Sequence, residues 1–289
     1  MRLASIRREG GEGAAVVVSG GLIPVPKLGR ASGRRYPESL DALLAQGLLG
    51  ELRAALESLT PQDRQKLAVP FERVEYAPLY RRPPKIWGIG LNYVEHAGDL
   101  GERAPAEEPA SFMKPYTTII GPGEAIRLPE QSERVTAEAE LGVVIGRECR
   151  NVAEEEALEY VAGFTCVLDM TAEDILQRNP RYLTRSKSFD TFFSFGPHLV
   201  TPDEVESLGD LEVATVINGR VHRRNAVANM TFSPRALISF HSRGMTLLPG
   251  DIISTGTPGA AVIREGDVAG CEISGFEPLV NPVERQEVL

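Results

Sequence analysis

The sequence predicts an α+β protein that is mainly β, with a small α+β N-terminal domain over residues 1–80 and a larger domain over residues 81–289. Three observations carry this. After residue 85, short strand-like runs bounded by Gly, Pro or Asp outnumber helical stretches. Strands and helices do not alternate regularly, which argues against a doubly wound parallel sheet. The texture also changes at Arg81-Arg-Pro-Pro, where a mixed region gives way to the strand-rich remainder.

Met1–Ile6, Ala14–Val18 and Leu22–Pro24 are short apolar runs separated by Gly-rich turns, the pattern of a small β-meander. Leu40, Leu43, Leu44, Leu48, Leu52 and Leu59 then recur at helical spacing, punctuated by Gly47 and Gly50. Thr60 and Pro61 read as the N-cap and first residue of a further helix. In the second domain the expected strands are Ile86–Gly90, Glu138–Ile145, Tyr160–Leu168, Leu211–Ile217, Asp251–Thr255 and Val268–Ile273. The expected helices are Ala153–Glu159, Ala172–Gln177 and Ser233–Ser242, the last opened by Ser233 as N-cap and Pro234. No fixed-period repeat or low-complexity segment is present.

With 42% hydrophobic and 25% charged residues over 289 positions, the chain has the composition of a soluble globular protein with a sizeable core. A net charge of −9 argues against a nucleic-acid partner, which requires clustered Lys and Arg. The one basic stretch, Arg30 to Arg35, is short, rich in Gly and Ser, and reads as a solvated loop. Cys149, Cys166 and Cys271 are odd in number and far apart, so reduced thiols are expected rather than a disulfide framework or a thiolate zinc site. The first ten residues lack the apolar run of a signal peptide, and no stretch approaches the roughly 20 apolar residues that span a bilayer. A cytoplasmic protein without a membrane partner is expected.

The segment Thr136-Ala-Glu-Ala-Glu-Leu-Gly is the most informative. In a strand, residues two apart share a face, so Glu138, Glu140 and Gly142 point one way while Ala139, Leu141 and Val143 point to a core. Two carboxylates about 7 Å apart along a strand repel unless solvent or a cation separates them. An anonymous Glu-x-Glu is more often an exposed polar face. Asp169, which ends the apolar run from Tyr160, weakens that reading: a carboxylate leaving a buried strand needs either an N-cap role before Ala172-Glu-Asp or a cation. Three oxygen ligands with open positions would suit Mg²⁺ or Mn²⁺. The glycine at 142 is expected to leave space above the sheet.

Gly88-Ile-Gly-Leu-Asn-Tyr-Val-Glu-His ends a strand in a polar turn. His96 and Asp99 are three apart and can meet on one helical face, where the carboxylate would fix the ring tautomer and leave the other nitrogen as a base; a surface His–Asp pair is the plainer alternative. No nucleophile elbow, complete phosphate loop or dinucleotide fingerprint accompanies them.

Gly90-Leu-Asn-Tyr-x-x-His-Ala, Phe112-Met-Lys-Pro, Glu138-Ala-Glu-Leu-x-Val-Val-Ile-Gly, Asp169-Met-Thr-Ala, Lys187-Ser-Phe-Asp, Asn218-Gly, Pro249-Gly-Asp and Thr255-Gly-Thr-Pro occur in this order. Together, from about Lys85 to Val283, they resemble the catalytic domain of the fumarylacetoacetate hydrolase superfamily. The resemblance implies a mixed β-sandwich roll, a homodimer, and Mg²⁺ or Mn²⁺ held by Glu138, Glu140 and Asp169. It implies His96 as general base with Asp99, Lys187 beside developing negative charge, and a 2-oxo or β-diketo acid substrate held by Thr257, with Gly256, Gln177 and Tyr93 around it. The leading activity it implies is C–C hydrolysis of an acylpyruvate or diketo-deoxy-sugar acid to pyruvate, or a substituted pyruvate, and a carboxylic acid. Decarboxylation of an oxaloacetate-like acid, or enol–keto isomerisation of an unsaturated dioate, is the alternative. A silent ligand-binding homologue ranks third.

The chain also departs from the family pattern. Asp99 stands where Glu is usual, Glu173 where Arg is common, and Leu176 where Gln is common, with Gln177 one residue later. Arg223 and Val227 occupy positions more often Gln and Thr. Either the substrate's far end differs, or Arg178 or Arg181 replaces the missing arginine; the first is favoured. The loop after Gly259 is short, as in some isomerase-like members.

Overall fold

The computed structural model describes residues 1–99 and 101–285. Its N-terminal meander is made of strands Arg2–Arg8, Gly11–Val18 and Gly21–Pro24, turning at Gly10–Gly11 and Gly20, where the backbone takes positive φ. Helices Val25–Ala31, Leu40–Ala45, Leu49–Glu57 and Pro61–Leu67 follow, and the Thr60 hydroxyl accepts the Asp63 N–H as the expected cap of the last.

Among the described residues the strands form two sheets, of 13 and 5 strands. Across the larger sheet the order runs Arg2–Arg8, Phe193–Val200, Val161–Ala172, Val135–Ile145, Ile252–Ser254, Ile86–Gly90 and Ala110–Lys114. Most pairs are antiparallel, but Ile252–Ser254 runs parallel to Ile86–Gly90, so the sheet is mixed. The chain is thus mainly β, as the sequence predicts. The composition boundary at residue 80 does not interrupt the sheet: Arg2–Arg8 pairs with Phe193–Val200, and Leu3, Leu28 and Leu43 share an apolar cluster with Val144, Phe193 and Phe195.

The five-stranded sheet runs Arg220–Ala226, Glu212–Ile217, Val268–Ile273, Leu279–Arg285 and Ile126–Leu128. Its Val213, Cys271, Ile273 and Leu279 pack with Leu141, Val143 and Phe164 of the larger sheet in the main core. This covering makes Val135–Ile145 a central strand, buried along its length with only Glu138 partly exposed.

Three expectations are corrected here. Residues 153–159 form turns and a short 3₁₀ helix at Ala157–Tyr160 instead of an α-helix; the run Glu154 to Glu156 sets like charges together, and only Ala157 is buried. Gly142 does not leave open space: a Cβ there would lie 2.7 Å from Val167 Cγ2 and 2.9 Å from Thr165 Cγ2. The third concerns Asp169, which lies inside a strand reaching Ala172 and not at its end. No helix among the described residues is long and apolar enough to cross a membrane.

Candidate metal centre

Glu138 and Asp169 are direct cross-strand partners, and Glu140 lies two residues along the same face. One carboxylate oxygen of each can be chosen so that all three lie within 4.8 Å of one another. That is close to the span of about 4.2 Å across an octahedral Mg²⁺ or Mn²⁺ shell. Asp169 is fully buried and does not cap the following helix, whose N-cap residue is Ala172 with no side-chain bond. The capping role is therefore excluded, and the carboxylate belongs to the cluster.

Two lysines hold it there. Lys187 Nζ donates to Glu138 Oε2 at 2.8 Å and Asp169 Oδ2 at 2.9 Å. Lys114 Nζ donates to Asp169 Oδ1 at 2.6 Å and to the Met170 carbonyl at 3.3 Å. Lys187 ends the short helix Leu183–Lys187 and lies 4.8 Å above the Phe112 ring; Lys114 ends the edge strand Ala110–Lys114. Burial lowers the Lys114 ammonium to about 8 despite Asp169. For Lys187 burial acts the same way, but Asp169, Glu138 and Glu140 outweigh it and raise the group. Glu138 is held below the carboxylate range because Lys187 and His96 outweigh its burial.

Glu140 is different. It is 1% exposed and receives only neutral donors, the Ser254 hydroxyl at 2.5 Å and the Gly256 N–H at 2.9 Å. Burial and the charge of Asp169 push its carboxyl up to about 8. Fully ionised, the cluster sets three carboxylates against two lysines, with Glu140 lacking a cationic partner among the described residues. An oxygen-rich, under-neutralised donor set fits a divalent cation, whose addition would turn the site net positive and suit an anionic ligand.

His96 stands on the short helix Val94–Asp99 and is 5% exposed. Its Nδ1 is buried without a hydrogen-bond partner among the described residues. Burial lowers its pKa, countered in part by Glu138 and helped by Lys187. The expected His96–Asp99 bond is not formed. Asp99 instead pairs with Arg223, whose Nη2 and Nε reach its two oxygens at 3.1–3.3 Å. A fork with two matched acceptors on an exposed surface outcompetes an imidazole that lies inside.

The remaining expected site residues divide. Gly256 takes φ +95° and presents its N–H to Glu140, so it supports a cluster carboxylate. Thr257 is buried, and its hydroxyl exchanges bonds with the Gly259 N–H and carbonyl, both at 3.2 Å. Tyr93 is fully buried in the main core; its hydroxyl has no partner among the described residues, and burial and then Glu140 raise its pKa. Gln177 is exposed and donates to Glu173 at 2.8 Å, which Arg134 neutralises at 2.7 Å, so it serves Glu173 and does not enter the cluster. Arg178 pairs with Asp174 and does not replace an arginine at 173. Lys114 and Ser254 carry no role in the sequence reading. The signal for Lys114 was its place after Ser-Phe-Met and before Pro, a lone cation ending a strand-like run.

A mixed, two-sheet fold carries a buried carboxylate triad, two lysines and a histidine, a donor set that suits a divalent cation. The family model described as fumarylacetoacetate (FAA) hydrolase C-terminal matches residues 85–284, and the chain belongs to the fumarylacetoacetate hydrolase family. It is 35% identical over 258 residues to the mitochondrial oxaloacetate tautomerase of Homo sapiens, covering 86% of this chain and 80% of that one. Among solved structures it is similar to 5-carboxymethyl-2-hydroxymuconate delta-isomerase from Mycobacterium smegmatis, with TM-score 0.78, 30% identity and full coverage of both chains. It is also similar to maleylpyruvate hydrolase from a Sphingobium species, solved with manganese(II) and pyruvate: TM-score 0.78, 29% identity, 99% of this chain and 100% of that one. Relatives in the family thus include a hydrolase, an isomerase and a tautomerase.

Proposed function

We propose that the chain is a divalent-cation-dependent enzyme that interconverts the enol and keto forms of a 2-oxo dicarboxylic acid, of which oxaloacetate is the simplest. The state of His96 carries this reading: the ring is buried near Glu138 and Lys187, its Nδ1 has no partner among the described residues, and Asp99 is held by Arg223. Deprotonating water for C–C hydrolysis calls for a base strengthened by an acidic partner on its far nitrogen. Tautomerisation calls only for a group that lifts a proton from one atom of the ligand and sets it on another.

A cation on Glu138, Glu140 and Asp169 would supply Lewis-acid polarisation of the 2-oxo group. Neutral His96, kept so by its lowered pKa, accepts the enol O–H proton; the imidazolium then protonates C3 as the C=C electrons form the new C–H bond and the carbonyl is restored. Lys187, held charged by its carboxylates, stabilises the transient enolate oxygen. The likeness to the human tautomerase and the mycobacterial isomerase supports this reading. The test follows the enol absorbance of oxaloacetate with Mn²⁺. Ketonisation should exceed the buffer rate, stop with chelator, and fall by about 10²–10⁴ in His96→Ala. Ketonisation at the buffer rate, with acylpyruvates cleaved instead, would sink the tautomerase reading.

C–C hydrolysis is the second reading, favoured by the Sphingobium hydrolase, whose structure contains manganese and pyruvate. The sequence ranks it first; the orientation of Asp99 moves it behind. Stoichiometric pyruvate release from an acylpyruvate would restore it.

A further inference from the structure

Arg223 is rooted at the rim of the carboxylate cluster. Its cross-strand partner is Thr215, whose hydroxyl donates to the Gly259 carbonyl at 2.8 Å and accepts the Ala139 N–H at 3.1 Å. Its stem lies against Gly259, where a Cβ would fall 2.3 Å from Arg223 Cγ, so the glycine is what lets the arginine cross there. Gly259 bonds Thr257, and the next residue, Ala260, pairs with Glu138.

The head of Arg223 is only loosely committed. Its ion pair with Asp99 has both side chains about half exposed, at 49% and 45%, where water and salt compete for each partner. The cluster lysines are committed to Glu138 and Asp169, and Arg134 and Arg178 to Glu173 and Asp174. An arginine fork at the rim of an anion site matches a carboxylate two-for-two. Its present partner sits one helical turn beyond His96, whose buried Nδ1 has no partner among the described residues.

We infer that Arg223 is a specificity-determining residue for dicarboxylic ligands: the carboxylate at the far end of a bound 2-oxo acid displaces Asp99 from Arg223. This rests on the reading of the site as one for 2-oxo acids, but is tested apart from it by binding. The Mn²⁺-loaded protein is titrated calorimetrically with 2-oxoglutarate and with 2-oxopentanoate, which have equal chain length and differ in the distal carboxylate. Wild type should prefer the diacid. Arg223→Gln should reduce that preference by about tenfold to a hundredfold, and Arg223→Lys should restore part of it. Asp99→Asn should tighten diacid binding, because the charged competitor for Arg223 is gone. Equal weakening of both acids in Arg223→Gln, or an unchanged diacid preference, overturns the inference. If Arg223→Gln fails to fold, Arg223→Lys and Asp99→Asn carry the same comparison. An arginine-dependent diacid preference without turnover of oxaloacetate would leave the inference standing and remove the proposed reaction.

Discussion

Glu138 and Asp169 face one another directly across adjacent antiparallel strands, and Lys187 clasps one oxygen of each. Like charges in opposite positions of a sheet destabilise it, more so where water is excluded. Lys187 is therefore a structural counter-ion. Lys187→Met should destabilise the metal-free protein by about 3–5 kcal/mol, as expected when one partner of a buried ion pair is removed. Adding Mn²⁺ should recover part of that loss, since the ion supplies charge to the same carboxylates. Denaturant unfolding with and without Mn²⁺ checks this, and a variant as stable as wild type in chelator would contradict it.

Glu140 should respond in the opposite sense. With its carboxyl pushed up to about 8 beside Asp169, Glu140 is largely protonated near neutral pH in the metal-free protein, so a neutral glutamine costs little there, whereas a cation needs the ionised form. Glu140→Gln should unfold no earlier than wild type in chelator, yet bind Mn²⁺ at least about tenfold more weakly. Wild type should gain about 2.7 kcal/mol at a Mn²⁺ concentration a hundred times its Kd. Thermal melts across a Mn²⁺ titration separate the two effects; a variant destabilised in chelator with unchanged metal affinity would reverse the assignment.

What was legible in the sequence was local or periodic. Alternation placed Glu138 and Glu140 on one face, and Thr60 and Ser233 marked helix starts that the structure caps with their side chains. Asp169 was ambiguous because Asp-Met-Thr-Ala reads equally as a strand end and a cap; only pairing with Glu138 carries the strand on to Ala172. Lys187 lies on a five-residue helix too short to show a period. The partner of Asp99 was out of reach for another reason. Arg223 is 124 residues away, and a three-residue spacing to His96 describes what the helix permits, not which of two partners wins.

Gly256 joins backbone geometry to the carboxylate cluster. Its φ of +95° is costly for a side-chain-bearing residue, and an added Cβ would lie 2.8 Å from Asn92 Cβ. Asn92 itself ties the His96 segment down, donating to the Thr255 and Phe232 carbonyls. Gly256→Ala should therefore cost about 1–3 kcal/mol of stability and weaken Mn²⁺ binding, because the N–H on Glu140 shifts. Gly219→Ala is the control: it too has positive φ, but a Cβ there meets nothing within 4 Å. Equal losses of Mn²⁺ affinity in both variants would show that only general strain is involved.

Acid should loosen the junction between the N-terminal meander and the rest of the sheet. His198 sits on Phe193–Val200 opposite Ala4 of the first strand, with Nε2 3.0 Å from the Tyr76 hydroxyl. It is 5% exposed, and burial, with a contribution from Arg2, lowers its pKa from 6.5 to about 4. Between those values the unfolded chain binds the proton and the folded chain does not, so stability falls as pH drops from 6.5 towards 4 and levels off below. The full shift corresponds to about 3 kcal/mol. Unfolding curves measured at intervals across this range should show the decline, and His198→Phe should flatten it. Hydrogen exchange should place the earliest opening at the Arg2–Arg8 and Phe193–Val200 pairing; uniform loss of protection across both sheets would point to the summed titration of many carboxylates instead.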